Sequence, residues 1–232
     1  MSAMSEPEFR MSRELDRARE FWDRTFKRAA PDARDASSGR DLSDIVARLR
    51  VASAVDVLDV GCGFGRWSVT LARAGFRVLA VDVSFEAVRI ARERARREGL
   101  TIGSAVCAAQ ELLQLAVRVD AVVCNSVLDH MRPPDAEQST RSMGQVLKPG
   151  GLLYASFDGP AESETGAEVQ SDHLVSSDGT WDYVAGPRMG MVWRFYDDAE
   201  VRWLFREFEE LEFTVAATGL RRAWFRTRAG ES

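Results

Sequence analysis

Three glycines, Gly61, Gly63 and Gly65, stand in the run Asp59-Val60-Gly61-Cys62-Gly63-Phe64-Gly65. Lacking a Cβ, they let the chain turn tightly and let a ligand approach the backbone, as a nucleotide cradle requires. About twenty residues further on, Asp82 ends an apolar run, where a carboxylate accepts both hydroxyls of a ribose. The two features together point to an adenosine-containing cofactor. The spacing G-x-G-x-G brings the third glycine one residue earlier than the dinucleotide fingerprint, which serves a pyrophosphate. Asp59, directly before the turn, would repel a pyrophosphate and suits a cofactor bearing an ammonium and a sulfonium.

The elements that must position these residues are legible in the pattern around them. Val55–Val60 is a short apolar, β-branched run that reads as a buried parallel strand. Trp67, Thr70, Leu71 and Ala74 follow at helical spacing, and Gly75 ends that helix. Arg77–Val81 supplies the next strand and completes a right-handed βαβ unit. Ser84 caps a second helix with Phe85, Val88, Ala91 and Ala95 inward. A third strand is expected near Ala105–Ala108, a fourth over Val119–Cys124, and a helix from about Asp135 to Leu147. Lys148-Pro149-Gly150-Gly151 reads as its stop signal, with a fifth strand at Leu152–Phe157. Asp197 and Glu200 form a capping-box start for a late helix, and two final strands fit Leu211–Ala217 and Arg222–Arg228. Upstream, Leu15, Ala18, Trp22 and Phe26 mark one helix and Leu42, Ile45, Val46 and Leu49 a second, with a polar break at Pro31–Gly39 between them. Strands alternating with helices give an α/β fold with a mainly parallel, doubly wound sheet.

Composition narrows the class. The 232 residues fit one sizeable domain, and a hydrophobic content of 45% fills its core. The single domain is expected over 1–232, with 1–10 loose, 11–50 an N-terminal helical cap and 158–195 an insertion or lid. No stretch approaches the roughly 20 apolar residues of a membrane span, and the charged N-terminus lacks a signal-peptide core, so a cytoplasmic protein without a membrane partner is expected. The net charge of −5 opposes a phosphate-backbone partner. Cys62, Cys107 and Cys124 form no CxxC pair, which suggests neither disulfides nor a metal.

The run Val57–Gly65 resembles the first motif of the class I S-adenosylmethionine-dependent methyltransferases, of the small-molecule type. Val78–Ser84 with Asp82 is similar to that family's second-strand motif, Asp120–Met131 to its fourth-strand motif, and Val146–Leu152 to its fifth-strand entry. The resemblance implies a seven-stranded sheet whose last strand pair inserts antiparallel, and S-adenosylmethionine as cofactor. It places Gly61, Cys62 and Gly63 along the methionine and ribose, Asp82 on the ribose hydroxyls, Val83 beside the adenine and Asn125 or Ser126 beside the methionine part. The family's usual acidic residue before an Ala is replaced here by Ala108, which leaves Ala109 and Gln110 for the adenine. The activity implied is methyl transfer to an O or N nucleophile of a small molecule, with S-adenosylhomocysteine as product.

Methyl transfer from a sulfonium runs chiefly on positioning. Where a base assists, His130 and Asp129 sit at the right end of the fourth strand, and an imidazole near pKa 6.5 suits the task. The long segment from Asp158 to Trp193 carries hairpin signals at Asp178-Gly179 and Gly186-Pro187. His173, Trp181, Tyr183, Met189, Met191, Trp193 and Arg194 from it, with Trp22 and Phe21 upstream, are candidates for an aromatic acceptor wall; the same apolar residues also suit packing on the sheet or a homodimer contact. Competing readings are a protein or nucleic-acid methyltransferase and a non-catalytic cofactor-binding regulator. Asn125-Ser126-Val127-Leu128 lacks the Asn/Asp-Pro-Pro-aromatic motif of enzymes acting on nucleobase amines, and Asp129 with Asp158 only loosely resembles a metal set.

Overall fold

The computed structural model describes residues 6–28, 39–159 and 171–228, with only the backbone for 6–13 and 39–41. The expected break from Pro31 therefore lies outside the described residues as far as residue 38, and so do residues 1–5 of the expected loose N-terminus. Helix α1 (Glu6–Arg28) begins inside that N-terminal stretch, and α2 is Gly39–Val51.

The central sheet follows the alternation in the sequence. Strands β1 (Asp56–Val60), β2 (Arg77–Asp82), β3 (Gly103–Val106), β4 (Val119–Asn125) and β5 (Leu147–Phe157) run parallel. Helices α3 (Arg66–Arg73), α4 (Phe85–Arg97) and α5 (Pro133–Val146) connect them, with short 3₁₀ turns at Ala109–Leu115 and Leu128–His130. A short helix α6 (Asp198–Leu204) then leads into β9 (Phe208–Val215) and β10 (Arg221–Thr227). The order across the sheet is β3-β2-β1-β4-β5-β10-β9, with the last pair antiparallel. It is the seven-stranded, mostly parallel sheet anticipated. Its order reverses between β1 and β4, and a crevice opens at their carboxyl ends.

Alternation within the strands builds two layers of core. Leu58, Val60, Val122, Cys124 and Leu153 pack with α5's Ala136, Met143 and Val146 and with α6's Val201 and Leu204. Val57, Ala121, Val123, Leu152 and Tyr154 pack on the other face with Trp67 and Leu71 of α3 and Leu42, Ile45 and Leu49 of α2. Spacings of three and four place those α2 residues on one stripe, and burying each contributes roughly 1.5–3 kcal/mol.

Several boundaries differ from expectation. The third strand ends at Val106, because the chain turns away at Cys107, whose N–H donates to the Asp82 carbonyl at 2.9 Å. Strand β5 starts before its glycines: Val119 pairs Leu147 and Ala121 pairs Leu152, so Lys148-Pro149-Gly150-Gly151 bulges out of a ladder that resumes beyond it. Strands β9 and β10 begin three residues and one residue earlier than expected. The capping box is present, with Asp197 accepting from the Glu200 N–H at 2.8 Å and Glu200 accepting from the Asp197 N–H at 2.9 Å.

Residues 171–196 form a separate antiparallel sheet of β6 (His173–Val175), β7 (Trp181–Tyr183) and β8 (Val192–Trp193). Helix α1 touches both units: Phe26 packs with Ala87 and Ile90 of α4, and Phe21 with Tyr183, Met191 and Trp193. Among the described residues no helix is long and apolar enough to cross a membrane.

Candidate active site

The glycine-rich turn joins β1 to α3 by left-handed backbone. Gly61 has φ +71°, and a Cβ there would lie 2.3 Å from Val127 Cγ2; Gly65 has φ +72°, and a Cβ would lie 2.6 Å from the Ala91 Cα. Only glycine fits either position without displacing a neighbour. The N–H groups of Gly61 and Cys62 donate to the Val81 carbonyl at 2.8 and 2.9 Å, which ties the turn to the end of β2.

Asp82 ends β2 beneath this turn. It is buried, and it accepts the Gly63 N–H on one oxygen at 3.0 Å and the Ser84 N–H on the other at 2.9 Å. Burial pushes its carboxyl up to about 6, against those backbone donors. Two oxygens offer about four acceptor directions, so the backbone donors leave acceptor capacity for a ligand. Asp23 of α1 stands close by and accepts from Ser84 Oγ at 2.5 Å and the Glu86 N–H at 3.2 Å. Asp59 is buried at the end of β1 and accepts from Ser68 Oγ. Burial first, then the Asp82 and Asp59 carboxylates, hold the Cys62 thiol well above its ordinary pKa, so it is a neutral thiol.

The other end of the crevice belongs to β4 and the turn after it. Asn125 Oδ1 accepts from Ser156 Oγ at 2.9 Å. Ser126 has φ +50°, an unusual conformation for a residue with a side chain, and is held by Ser156 and by Asp158, to which its Oγ donates at 2.7 Å. His130 Nδ1 lies 3.2 Å from the Val192 carbonyl oxygen. A carbonyl only accepts, so Nδ1 carries the proton and Nε2 keeps its lone pair. Burial lowers the His130 pKa, partly offset by the Asp158 carboxylate and by the Val192 hydrogen bond. The ring is wedged between Trp22 at 4.9 Å and Trp193 at 5.4 Å between centroids.

One cavity of about 610 Å³ connects the two ends. All nine cofactor candidates, Asp59, Gly61, Cys62, Gly63, Asp82, Val83, Ala109, Gln110 and Asn125, line it, together with His130, Trp22 and Tyr183. Five sequence candidates, Asp129, His173, Trp181, Trp193 and Arg194, lie off that lining. Asp129 is buried and accepts the Asp158 N–H at 2.9 Å, so it braces the end of β5. His173 is exposed and stacks on Trp181 with ring centroids 4.0 Å apart. Trp181 covers the outer side of the small sheet, edge-on to Phe195 at 5.1 Å between centroids. Arg194 pairs with Glu200 and lies over the Tyr196 ring. Met189 and Met191 line the cavity, and Trp193 supports it from behind.

Sequence reasoning missed Arg132, which lines the cavity and pairs with Asp182 of β7 and with Glu14 of α1 at 3.4 Å. Its partners are remote in sequence, and no local spacing announces them.

Comparison with known proteins agrees with this geometry. The family profile described as "Methyltransferase domain" matches residues 57–151. The chain is 39% identical over 116 residues to a ubiquinone biosynthesis O-methyltransferase of Xanthomonas axonopodis pv. citri, covering 50% of this chain and 47% of that protein. It spans about half the length of the curated relatives it matches. Among solved structures, a S-adenosylmethionine-dependent methyltransferase from Clostridium acetobutylicum superposes with TM-score 0.65 at 16% identity, covering 83% of this chain and 93% of that one. Magnesium protoporphyrin IX methyltransferase from Synechocystis, with bound SAM, superposes with TM-score 0.65 at 17% identity over 98% and 99% of the two chains. Residues 57–151 thus match a methyltransferase domain, and the chain around them shares the fold of S-adenosylmethionine-dependent methyltransferases.

Proposed function

We propose that this chain binds S-adenosylmethionine along the carboxyl ends of β2, β1 and β4 and directs its methyl group to a hydroxyl oxygen of a small aromatic molecule. One observation carries the reading: a single cavity joins the glycine-rich turn and Asp82 to His130 and an aromatic wall. The donor and the nucleophile thus share one cavity.

The residues fit the cofactor. The glycine turn lines the cavity with backbone that carries no side chain, and the Asp82 carboxylate beneath it is an acceptor for the ribose hydroxyls. Asp59 and Asp82 are carboxylates beside a ligand carrying an ammonium and a sulfonium. When bound, the cofactor supplies an electrophilic methyl carbon on sulfur and leaves as S-adenosylhomocysteine. Everything else falls to the chain. Phe21, Trp22, Tyr183 and Met191 hold a flat acceptor and exclude water, and His130 accepts the hydroxyl proton at Nε2. Burial keeps His130 neutral near pH 7, the state a base needs.

The relatives named as O-methyltransferases favour oxygen over nitrogen as the acceptor atom. Six carboxylates against three guanidiniums on the cavity wall disfavour a phosphate backbone. The test is turnover with S-adenosylmethionine and a panel of phenols, amines and carboxylates, reading S-adenosylhomocysteine by mass spectrometry. Product with phenols supports the proposal. Binding of the cofactor without product from any acceptor identifies a non-catalytic binding protein instead.

A further inference from the structure

Neutral rings and a carbonyl touch the His130 imidazole directly, and two charges act on it from further off. Trp22 of α1 and Val192 and Trp193 of β8 make the direct contacts and bring no charge. Asp129, in the same turn as His130, accepts the Asp158 N–H at 2.9 Å. The two charges are the Asp158 carboxylate at the end of β5 and the Arg188 guanidinium from the turn between β7 and β8. Burial is the largest influence and lowers the proton affinity of the ring; Asp158 opposes it and Arg188 adds to it.

Arg188 is held in place by its own turn. Its N–H donates to Ser171 Oγ at 3.2 Å and its carbonyl accepts from the Met191 N–H at 2.9 Å. The guanidinium carbon lies 4.7 Å from the centroid of the Trp193 ring and 5.9 Å from that of Tyr183, and Nη1 lies 3.6 Å from Met191 Sδ. Trp193 is buried, with its ring centroid 5.4 Å from that of His130. Guanidinium, indole and imidazole thus form one row of contacts. A cation over an indole is drawn to the ring's electron-rich face, which seats the indole and keeps the charge behind the cavity wall rather than on its lining.

We propose that Arg188 is a positioning residue for His130: it seats Trp193 against the imidazole, and its positive charge disfavours a second proton on that ring. The turn of the small sheet that closes the acceptor wall thereby also keeps the ring neutral. The consequence for turnover rests on the reading of His130 as the proton acceptor; the effect on the ring itself does not.

The test is an NMR titration of the imidazole signals. The chain has two histidines, so comparison with His173→Gln assigns the His130 signal. Arg188→Lys is expected to leave the His130 midpoint in place, Arg188→Met to raise it by about 0.5 to 1 pH, and Arg188→Glu to raise it about twice as far. Displacement of the His130 C–H signals by the flanking indoles reports whether Trp22 and Trp193 still pack on the ring in each variant. That graded order supports the assignment. A midpoint unmoved in Arg188→Glu overturns it, and so do three variants that shift alike, since loss of packing alone would not follow the sign of the charge. The acidic limb of kcat is expected to move in the same order. NMR midpoints in that order beside an unmoved kcat limb uphold the role of Arg188 and overturn the reading of His130 as the base.

Discussion

At the scale of single residues, binding and proton transfer fall to different side chains. His130→Ala should lower kcat about 100-fold to 10,000-fold and leave calorimetric affinity for S-adenosylhomocysteine unchanged. Because burial lowers its pKa, the base form is present above a pH below 6.5. With saturating cofactor, kcat should rise as pH rises through that value and stay flat to pH 8. Asp82→Asn should leave no charged acceptor for the ribose and weaken cofactor binding about 100-fold. Its carboxyl titrates at about 6 in the free protein, and a hydroxyl-binding carboxylate must be ionised. Cofactor affinity should therefore fall as pH falls through 6, becoming about tenfold weaker at pH 5 than at pH 8 by calorimetry. The residues proposed for the cofactor are legible as a group because they are local: a turn, a strand end and a second strand end fall within one βαβ unit. Arg132, Glu14 and Asp182 were not, since three remote segments meet only in the fold. His173 and Arg194 had suitable chemistry, but one faces solvent and the other is engaged by Glu200.

At the scale of elements, the turn and the caps carry distinct loads. Gly65→Ala drives a Cβ to 2.6 Å from the Ala91 Cα at a backbone φ of +72°. Strain and overpacking of that kind cost about 3 kcal/mol, so Tm should drop by about 10 °C in a thermal melt. Asp197→Ala removes one half of a capping box on a helix remote from the cavity, and should cost about 1 kcal/mol and about 3 °C with turnover unchanged. Parallel strands β1, β2 and β4 were readable as continuous apolar runs because both faces are buried. Strand β9 was read late because it is the edge of the sheet, and Glu209, Glu210 and Glu212 interrupt the apolar signal there while blocking edge-to-edge pairing. The stop signal at Pro149-Gly150-Gly151 was misplaced for another reason: a bulge and a helix end use the same residues, and only the partner strand's register distinguishes them.

At the scale of the whole molecule, the proposed acceptor follows from charge and enclosure. The cavity wall carries six carboxylates and three guanidiniums, and Arg132, on its inner wall, is already matched by Asp182 and Glu14. A neutral phenol should therefore be methylated with kcat/KM about tenfold above that of its carboxylated counterpart, and raising the salt concentration should narrow the gap. Fold and cofactor were legible before any coordinates because the alternating pattern admits few topologies and the glycine spacing with Asp59 and Asp82 admits few ligands. The proposed acceptor wall is legible only as a region, since α1 and the small sheet meet through Phe21, Tyr183 and Met191 without any sequence register between them. A crystal structure of the chain with S-adenosylhomocysteine tests the central claim most directly. Both ribose hydroxyls are expected within hydrogen-bond distance of the Asp82 carboxylate, with the sulfur facing the part of the cavity that contains His130. A ligand bound elsewhere, or one whose sulfur is walled off from His130, would contradict it.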